Sequence, residues 1–404
     1  MKNHSSLLLI CQVFHPDDTS TSQLFSALMR QLQSQGVEVM VLCGFPSYMP
    51  ASDLPRKETW QGIKIQRCGL RLQGKRSLFF RSISYFFFLL ESFFRLLTYS
   101  QVTHWLGVTN PPFVAWTLAL ASLIHRHSFH FFFLDLHPEG LIAIGGLPAD
   151  AWYVSLWKKL NHWSYQRAKH LLVLGRDMTS LLSHHYRLPV ERFSYLPHWS
   201  ATEMDFPLEF HKSVFVQRWQ LENKFVVQYS GNMGLWHDIE NFVRCANDLE
   251  GQADMQFVFI GNGRRLVKAK QLAAELDVSN VQWHDFVPID ELSHSLASCH
   301  VSLISLRAGL EGVAVPCKLY GILASGRAVV AQVPLESEVA LTVKDHQCGV
   351  VVDPSDVSLL VKQLKSLSQQ PELVAEMGRN AFAAYQQHYS LEQAAKRFKQ
   401  ILSL

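Results

Sequence analysis

The sequence predicts an α/β fold made of two halves, each with a parallel sheet covered by helices. Three observations favour this fold. Short apolar runs alternate with helical segments along nearly the whole chain, a pattern typical of βαβ units. The alternation lapses between residues 195 and 214 and then restarts. The length of 404 residues and the hydrophobic content of 48% suit two domains with large cores.

The first half contains repeated strand-like runs, and helical segments separate most of them. The predicted strands are LLLICQVF, VEVMVLCG, THWLGVT, FHFFFLD and HLLVLG, with helices over 20–35, after Pro111 and from Leu141. Because a strand buried on both faces reads as a continuous apolar run, these segments indicate a covered parallel sheet. The region 1–200 is therefore predicted to be one Rossmann-like domain.

The second half repeats the pattern. Its predicted strands are KFVVQYSG, MQFVFIGNG, VQWHDFV, HVSLISL, AVVAQ and GVVVD, with helices from Asp238, over 266–276, from Asp290 and from Lys318. We predict a second Rossmann-like domain over 201–385. The last stretch, 371–404, is predicted to be wholly helical, with Ser390 as a helix N-cap and a terminal helix over 386–404.

The composition excludes several classes of protein. A net charge of only +3 gives no support to a nucleic-acid partner. The seven cysteines are scattered, with no Cys-x-x-Cys pair, which argues against a disulfide framework and a zinc ribbon. The apolar start lacks a cleavage site for a signal peptide and is predicted to be a buried strand. We therefore expect a reduced, cytoplasmic compartment.

The aromatic block over 77–97, SLFFRSISYFFFLLESFFRLL, is the most membrane-like feature of the chain. Its two arginines and one glutamate interrupt the run well short of the roughly 20 apolar residues that a spanning helix needs. A helix that lies on the inner face of the membrane stays open, since basic residues could face anionic lipids. The alternative is a core helix that covers the sheet. The basic residues in question are Arg71, Lys75, Arg76, Arg81 and Arg95.

Two glycine-containing junctions follow neighbouring strands of the second half. YSGNMGLWHD contains Gly231 and Gly234, and IGNGRR contains Gly261 and Gly263. Glycines at the carboxyl end of a strand let backbone N–H groups approach an anion, and the next helix adds the positive end of its dipole. Each junction alone could be a tight turn. Together they predict a site for a diphosphate.

Charged residues stand close to these junctions in the sequence. Arg264 and Arg265 follow the second glycine turn, and Lys318 begins a predicted helix beyond the Gly-flanked Glu311. Arginine suits bidentate contact with phosphate, and lysine acts as a point charge. Glu311 is a candidate for sugar hydroxyls. The alternative for Lys318 is a solvated residue of a first helical turn.

Several other chemistries lack their motifs. No Gly-Lys-Ser/Thr follows the glycine turns, so neither is a Walker loop, and the first strand ends without Gly-x-Gly-x-x-Gly. The 19 histidines cluster in places but form no His-Glu-x-x-His pattern. No Gly-x-Ser-x-Gly elbow occurs. We predict neither a dinucleotide cofactor nor a metal.

The second half resembles the nucleotide-sugar domain of the retaining family 4 glycosyltransferases, which have the GT-B fold. It is similar to the bacterial branch that builds O-antigen, capsule and exopolysaccharide. This resemblance implies two Rossmann-like domains that face a cleft and a C-terminal helix that crosses back to the first domain. The segments that carry it are YSGNMGLWHDIE, VFIGNGRR, WHDFVPIDEL, VPCKLYGILASGRAVVA and ESEVA, and more loosely QVFHPDDTSTSQLFSAL, TNPPFVAW, LDLHPEG and YLPHWS.

The resemblance implies roles for the donor site. Gly231, Asn232 and Gly234 would lie under the donor diphosphate, while Lys318 and one of the two arginines, Arg264 or Arg265, would neutralise the leaving group. The sequence departs from the family's paired glutamates. The second of these falls on Gly321, so the substitutes considered for ribose binding are Glu311 and Glu338.

A second group of candidates lies in the first half, in LDLHPEG. The family often uses a histidine on this loop near the reacting sugar, but its position falls on Leu134 here. Asp135, His137 and Glu139 are the polar residues of the loop, and as a group they are predicted to line the cleft. The alternatives are that Glu139 caps the next helix and that His137 is an ordinary loop residue.

The function that the resemblance implies is retaining transfer of a hexosyl or N-acetylhexosaminyl group from a nucleotide-sugar, and we expect a UDP-sugar. The acceptor would be lipid-linked or a saccharide, in cell-envelope glycan synthesis. The donor is a substrate, so no cofactor is expected. Two other classes stay open: a nucleotide-sugar epimerase of the same fold, and a non-catalytic protein that binds sugar or lipid.

Overall fold

The computed structural model describes residues 5–46, 54–71, 78–200, 207–251 and 254–404. The chain divides into two compact units. Unit 1 comprises Met1–Pro197 and Leu391–Leu404, and unit 2 comprises His198–Ser390. Lys75 and Arg76 of the aromatic block lie outside the described residues, as do residues 201–206 next to the predicted domain junction.

Unit 1 contains one eight-stranded sheet with strand order β3-β4-β2-β1-β5-β6-β7-β8. Its strands are β1 Ser6–Cys11, β2 Glu38–Cys43, β3 Lys57–Trp60, β4 Ile63–Arg67, β5 His104–Val108, β6 Phe129–Phe133, β7 His170–Val173 and β8 Phe193–Tyr195. Its helices before the switch to unit 2 are α1 Ser20–Ser34, α2 Leu78–Leu96, α3 Val114–His125, α4 Glu139–Ala143, α5 Trp152–Tyr165 and α6 Arg176–Tyr186.

The sheet of unit 1 is parallel except at one edge. There, β3 pairs antiparallel with β4, a hairpin that the apolar pattern does not reveal. Its turn uses Gln61 and Gly62, both with positive φ, 49° and 84°, as a two-residue hairpin turn of this kind requires. Strands β1 and β6 are buried along their whole length, because helices cover both faces.

Unit 2 contains a six-stranded parallel sheet with order β11-β10-β9-β12-β13-β14. Its strands are β9 Phe225–Ser230, β10 Met255–Ile260, β11 Val281–His284, β12 Val301–Ser305, β13 Ala328–Gln332 and β14 Gly349–Val352. Its helices are α7 Val214–Arg218, α8 Ile239–Asp248, α9 Leu266–Glu275, α10 Leu292–Ala297, α11 Lys318–Ala324, α12 Glu338–Asp345, α13 Val357–Ser368 and α14 Pro371–Ala384.

The C-terminal stretch is helical in two pieces rather than one. After α14 a π-helical turn spans Tyr385–Tyr389, and Ser390 is extended, with φ −74° and ψ 158°. Helix α15 then spans Leu391–Leu402 and packs against α1 in unit 1. Ser390 thus stands directly before α15, at the position predicted for the N-cap. The last helix begins at Leu391 rather than at the predicted residue 386, because the π-helical turn occupies Tyr385–Tyr389. The predicted α/β fold with two Rossmann-like parallel sheets is confirmed.

Candidate donor site at the carboxyl ends of the unit 2 strands

The candidate site lies where the strand order of unit 2 reverses. β9 and β12 are neighbours in the sheet, although two strands separate them in sequence. In an open α/β sheet, the crevice beyond the carboxyl ends of two such strands is the usual place for a ligand. The loop 231–238 follows β9, and the segment 306–317 joins β12 to α11. Two of the three predicted donor segments thus start at this point, and the third, IGNGRR, follows the neighbouring strand β10.

The two glycine junctions contact each other through their backbones. The Gly231 N–H donates to Ile260 O at 2.9 Å, and the Met233 N–H donates to Asn262 O at 2.8 Å. At Gly261, φ is +124°, and an added Cβ would meet Gly231 O at 2.3 Å. Only glycine allows this approach. The structure therefore brings the two predicted turns together.

Lys318 extends toward the first of these turns. A Cβ added at Gly231 would lie 3.5 Å from Lys318 Cε and 3.7 Å from its Nζ. The Nζ lies 3.9 Å from the centre of the Tyr229 ring and donates to the Tyr229 hydroxyl. That hydroxyl in turn donates to Asn232 O at 3.0 Å. The lysine ammonium thus lies beside a point of the loop, Gly231, that carries no side chain.

The surroundings of Lys318 change its protonation. Burial lowers its pKa from 10.5 to about 7, because desolvation disfavours the charged form. No carboxylate of the described residues lies within 4 Å of its Nζ. The ring of Tyr229 offers the ammonium a π-face but no full counter-charge. An anion bound here would supply the missing negative charge.

A set of contacts fixes the rest of the loop to β12. The His237 Nδ1 lies 2.6 Å from Ser305 O, and the Asp238 N–H donates to the Ser305 Oγ at 2.8 Å. Burial and the nearby Lys318 lower the pKa of His237 to about 3. His237 is therefore neutral at physiological pH. These contacts tie the loop to the end of the strand beside it.

Sequence reasoning missed Tyr229, His237 and Ser305. The period of two along a strand could have identified Tyr229, because its side chain shares a face with position 231. No sequence pattern could have identified the role of His237, since its contact with Ser305 spans 68 positions of the chain.

The two arginines of IGNGRR differ in their surroundings. The Arg265 guanidinium pairs with Asp238 Oδ1 at 2.9 Å and with Glu240 Oε2 at 3.2 Å. Asp238 Oδ1 also forms an ion pair with Arg307 Nε, at 3.3 Å. Arg264 is exposed and has no ion-pair or hydrogen-bond partner among the described residues. Of the two, Arg264 is thus the one whose side chain can reach a ligand without breaking a contact.

Of the other donor-site candidates, Gly234 and Gly263 pack against the Gly231 turn, whereas Glu311 and Glu338 make their hydrogen bonds elsewhere. Gly234 and Gly263 belong to the glycine loops: a Cβ at Gly234 would lie 3.1 Å from Asn232 Nδ2, and one at Gly263 would lie 2.3 Å from Met233 O. Glu311 Oε2 accepts from the Gly309 N–H at 2.9 Å. Glu338, at the start of α12, is fully buried and accepts from the Thr342 hydroxyl at 3.3 Å. Its carboxylate has no surface that a ribose could reach.

The loop candidates of the first half lie after β6 in unit 1. Both the Leu134 and Asp135 N–H groups donate to Thr109 Oγ1, at 2.9 and 3.2 Å. Burial raises the pKa of Asp135 to about 6 and lowers that of His137 to about 4. The buried His137 Nδ1 has no hydrogen-bond partner among the described residues. Both side chains therefore remain available for polar contact.

Glu139 is held inside unit 1 by a different set of contacts. It is 6% exposed, and its Oε1 accepts from the Tyr186 hydroxyl at 2.9 Å. Asn161 Nδ2 donates to Tyr186 Oη and to His137 O. Lys158 Nζ lies 4.0 Å from Glu139 Oε1. The alternative that Glu139 caps the next helix is wrong, because Pro138 occupies the N-cap of α4, no side chain caps that helix, and Glu139 is its first residue.

The aromatic block forms α2 and has a buried and an exposed side. Phe88 is fully buried, whereas Phe86 and Phe94 are 61% and 59% exposed. Core packing therefore accounts for only part of the block. None of the described helices is long and apolar enough to cross a membrane. Nor do three or more His, Cys, Asp or Glu residues of the described ranges gather in a way that could hold a metal ion.

Unit 2 thus places two glycine turns and the Lys318 ammonium at the carboxyl ends of its strands. Comparisons with known proteins show which class of domain this segment belongs to. Residues 213–384 match the family described as "Glycosyl transferases group 1". The segment is a glycosyltransferase group 1 domain, and the predicted resemblance is confirmed.

Two relatives extend the similarity over most of the chain. The probable glycosyltransferase WbjE of Pseudomonas aeruginosa is 26% identical over 306 residues, 74% of each chain. The putative colanic acid biosynthesis glycosyl transferase WcaI of Escherichia coli K12 is 21% identical over 369 residues, covering 87% of this chain and 89% of WcaI.

Solved structures show the same fold across both units. Sucrose-phosphate synthase of Thermosynechococcus elongatus aligns with a TM-score of 0.77 at 14% identity, covering 99% of this chain and 98% of that one. HepE of Anabaena in complex with UDP-glucose aligns with a TM-score of 0.71 at 13% identity, covering 99% and 100%. The chain has the GT-B glycosyltransferase fold.

Proposed function

We propose that this chain is a retaining glycosyltransferase that moves a hexosyl or N-acetylhexosaminyl group from a UDP-sugar to a lipid-linked or saccharide acceptor. The observation that supports donor binding is the position of Lys318 beside Gly231, the point of the loop that carries no side chain. A diphosphate suits this position because the Lys318 ammonium lies beside the glycine turn and no carboxylate of the described residues lies within 4 Å of its Nζ. HepE, a structure of the same fold, binds UDP-glucose, which favours uridine.

The proposed chemistry needs charge stabilisation more than a protein nucleophile. The bond between the anomeric carbon and the β-phosphate oxygen breaks, and the acceptor oxygen bonds to that carbon on the same face. The acceptor proton passes to the departing phosphate oxygen. Lys318 and Arg264 neutralise the charge that develops on the diphosphate. The protein otherwise contributes position.

Asp135 and His137 are proposed to contact the reacting sugar or the acceptor. No hydrogen bond to the Asp135 carboxylate or to the His137 ring is formed among the described residues, and the protonation states of both side chains suit this role. At neutral pH, His137 is neutral and can donate or accept a hydrogen bond, while Asp135 is mostly ionised. Glu139 is proposed to position this loop through Tyr186 rather than to touch substrate.

The proposed acceptor and the proposed role in cell-envelope glycan synthesis are supported by the described functions of the relatives. WcaI is described as a colanic acid biosynthesis enzyme, which favours cell-envelope glycan synthesis for this chain. A lipid-linked acceptor would place the enzyme at the inner face of the membrane, where the exposed phenylalanines of α2 could touch lipid. No metal or cofactor is part of the proposal.

The first test is donor binding by isothermal titration calorimetry with UDP-, GDP- and ADP-glucose. We expect the UDP-sugar to bind best and Lys318→Ala to lose at least about tenfold in affinity. The matched control is Lys362→Ala, an exposed lysine of α13. Failure of every nucleotide-sugar to bind the folded protein would contradict the proposal and favour a non-catalytic binding protein.

The second test separates transfer from isomerisation. Radiolabelled donor is incubated with membrane lipid extract as acceptor, and the products are separated into lipid-linked and nucleotide-linked sugar. Transfer predicts label in the lipid fraction that depends on the extract. An epimerase would instead change the sugar of the nucleotide without any acceptor.

A further inference from the structure

The strand order of unit 1 reverses at β1. The strand that follows β1 in the chain, β2, lies on one side of it in the sheet, and β5 lies on the other. The loop after β1 is fixed to both neighbours, since the Gln12 N–H donates to Asn110 O at 2.8 Å and the Gly44 N–H donates to Gln12 O at 2.9 Å. In an open α/β sheet, ligands usually bind beyond the carboxyl ends of the strands at such a point.

Three polar side chains near this loop are buried, and each has an atom without a hydrogen-bond partner. Gln12, Asp17 and Arg67 are 3%, 4% and 0% exposed. The atoms concerned are Gln12 Oε1, Asp17 Oδ2 and Arg67 Nε, to which the described residues offer no hydrogen bond. Buried polar atoms are nearly always paired in folded proteins. Three exceptions near the carboxyl ends of β1 and β4 indicate a site for a polar ligand.

The remaining polar atoms of two of these side chains hold them in place. Asp17 Oδ1 accepts a hydrogen bond from the Thr19 N–H at 3.0 Å. The Arg67 guanidinium donates to His15 O at 3.0 Å and to Glu58 Oε1 at 2.6 Å. Neither side chain can turn toward a new partner without breaking these contacts. The unpaired atoms of Asp17 and Arg67 therefore have fixed positions.

The three side chains lie around one point, the carboxyl end of β2. A Cβ added at Gly44 would overlap the Gln12 amide, so the two residues are in close contact. Burial raises the pKa of the Cys43 thiol to about 12, and the charges of Arg67 and Asp17 act on that pKa in opposite directions. Both charges therefore lie near Cys43, the residue before Gly44. We call Gln12, Asp17 and Arg67 the unit 1 polar cluster.

We propose that the unit 1 polar cluster binds a sugar ring of the acceptor through its hydroxyl groups. A hydroxyl group both donates and accepts hydrogen bonds, so adjacent sugar hydroxyls can pair with two accepting oxygens and one N–H donor. A phosphate would meet the negative charge of the Asp17 carboxylate, and a cationic ligand would meet the Arg67 guanidinium. The cluster therefore favours a neutral saccharide.

This inference rests on the proposed function, because the sugar ring belongs to the acceptor of that transfer. Backbone contacts connect the cluster to the loop that holds Asp135. The Gln12 N–H donates to Asn110 O, and the Asp135 N–H donates to Oγ1 of Thr109, the residue before Asn110. Gln12 and Asp17 are thus assigned as specificity residues for the acceptor.

The first test is saturation-transfer NMR on the full-length protein, with and without UDP. The probes are the methyl glycosides of glucose, galactose, mannose and N-acetylglucosamine, and we expect at least one of them to bind. In Asp17→Asn, the Thr19 N–H retains the amide oxygen, so an amide NH2 group replaces the accepting Oδ2. The affinity for the glycoside should fall at least about tenfold. Gln12→Met keeps the length of the side chain without its amide and should cause a similar loss.

A second readout separates contact with the acceptor from a purely structural role. With labelled UDP-glucose and membrane lipid extract, Asp17→Asn should raise the extract concentration that gives half-maximal transfer at least about tenfold. KM for UDP-glucose should be unchanged, because the substitution lies in unit 1. The matched control is Asp18→Asn, at the exposed aspartate next in the chain. This control should bind the glycoside and transfer sugar as the wild type does.

Other outcomes would overturn the inference. Binding of no glycoside by the wild type, or equal binding by the wild type and both variants, would exclude a sugar at this cluster. Displacement of the glycoside by inorganic pyrophosphate would assign the cluster to a phosphate group. Equal losses of glycoside and UDP-glucose affinity would show that Asp17 and Gln12 serve the fold alone. A chain that binds a glycoside through Asp17 but binds no nucleotide-sugar would keep the saccharide site and contradict the proposed function.

Discussion

The ammonium group of Lys318 lies 3.9 Å from the centre of the Tyr229 ring and donates to the Tyr229 hydroxyl. The Tyr229 hydroxyl in turn donates a hydrogen bond to Asn232 O in the glycine loop. One aromatic side chain thus sets the position of both the cation and the loop. Tyr229 is therefore a positioning residue for the donor site.

Tyr229→Phe should weaken donor binding without abolishing it. The ring remains under Lys318, but both hydrogen bonds of the hydroxyl are lost, so Kd for UDP-glucose should rise about 2- to 10-fold. Calorimetry measures the change. Tyr153→Phe, in unit 1, is the control and should leave Kd unchanged. Equal affinities for the wild type and Tyr229→Phe would exclude the positioning role.

Donor binding should weaken as pH rises from 6 to 8. The pKa of Lys318 is lowered from 10.5 to about 7 in the empty site, so the protein loses the ammonium over this range. A bound diphosphate favours the charged form and raises that pKa. Kd for UDP-glucose should therefore increase roughly tenfold between pH 6 and 8.

The neighbours of Lys318 do not share this titration. His237 stays neutral above a pKa of about 3, and burial raises the pKa of Tyr229 well above 10. Lys318→Arg keeps its charge and should bind with little dependence on pH. A wild-type Kd that is constant from pH 6 to 8 would show that Lys318 remains charged or lies away from the phosphates.

The two adjacent arginines should differ in their effects. Arg264→Gln should lower kcat by about tenfold or more, since this exposed cation is proposed to neutralise the leaving group. It should leave the free energy of unfolding unchanged. Arg265→Gln should cost about 1–2 kcal/mol of stability, because Asp238 and Glu240 lose a partner. Urea unfolding and steady-state kinetics on both variants check this, and a reversed pattern would exchange their roles.

Gly261→Ala should destabilise unit 2 strongly. The new Cβ would meet Gly231 O at 2.3 Å with φ at +124°, so the expected loss is at least about 3 kcal/mol. At Gly36, φ is +88° and no described heavy atom lies within 4 Å of an added Cβ. Gly36→Ala should cost only about 1–2 kcal/mol. Urea unfolding measures the loss of stability in each variant. Because both positions have positive φ, only the larger loss in Gly261→Ala reports the steric conflict with Gly231 O. Similar losses in the two variants would argue against that conflict.

Unit 1 should lose stability as pH falls below about 6.5. His130 is 1% exposed, and burial lowers its pKa to about 3. The unfolded chain binds this proton near pH 6.5 and the folded chain does not, so stability is complete above 6.5 and declines toward 3. At pH 5 the loss from this residue is about 2 kcal/mol.

His130→Leu tests this linkage. Between pH 7 and pH 5, the free energy of unfolding of the variant should fall by about 2 kcal/mol less than that of the wild type. Exposed His184→Leu is the matched control and should follow the wild type. An unchanged pH dependence in His130→Leu would show that His130 is not the residue responsible.

The sequence by itself determined the α/β class, the two sheets and the glycine junctions. Parallel strands buried on both faces read as apolar runs, and strand-end glycines stand out against them, because both signals are local. Gly231, Gly261 and Lys318 were therefore visible before any coordinates. The hairpin at Gln61 and Gly62 was missed, since its short edge strands carry little apolar pattern.

Only the tertiary structure decided which candidate side chains reach one another. Arg264 and Arg265 are adjacent and chemically alike, yet the ion pairs from Asp238 and Glu240 occupy only Arg265. Glu338 looked as suitable as Glu311 until its complete burial excluded it from ligand contact. Tyr229 meets Lys318 across 89 positions of the chain. Such contacts depend on how strands and helices pack in space, and no local pattern encodes that distance.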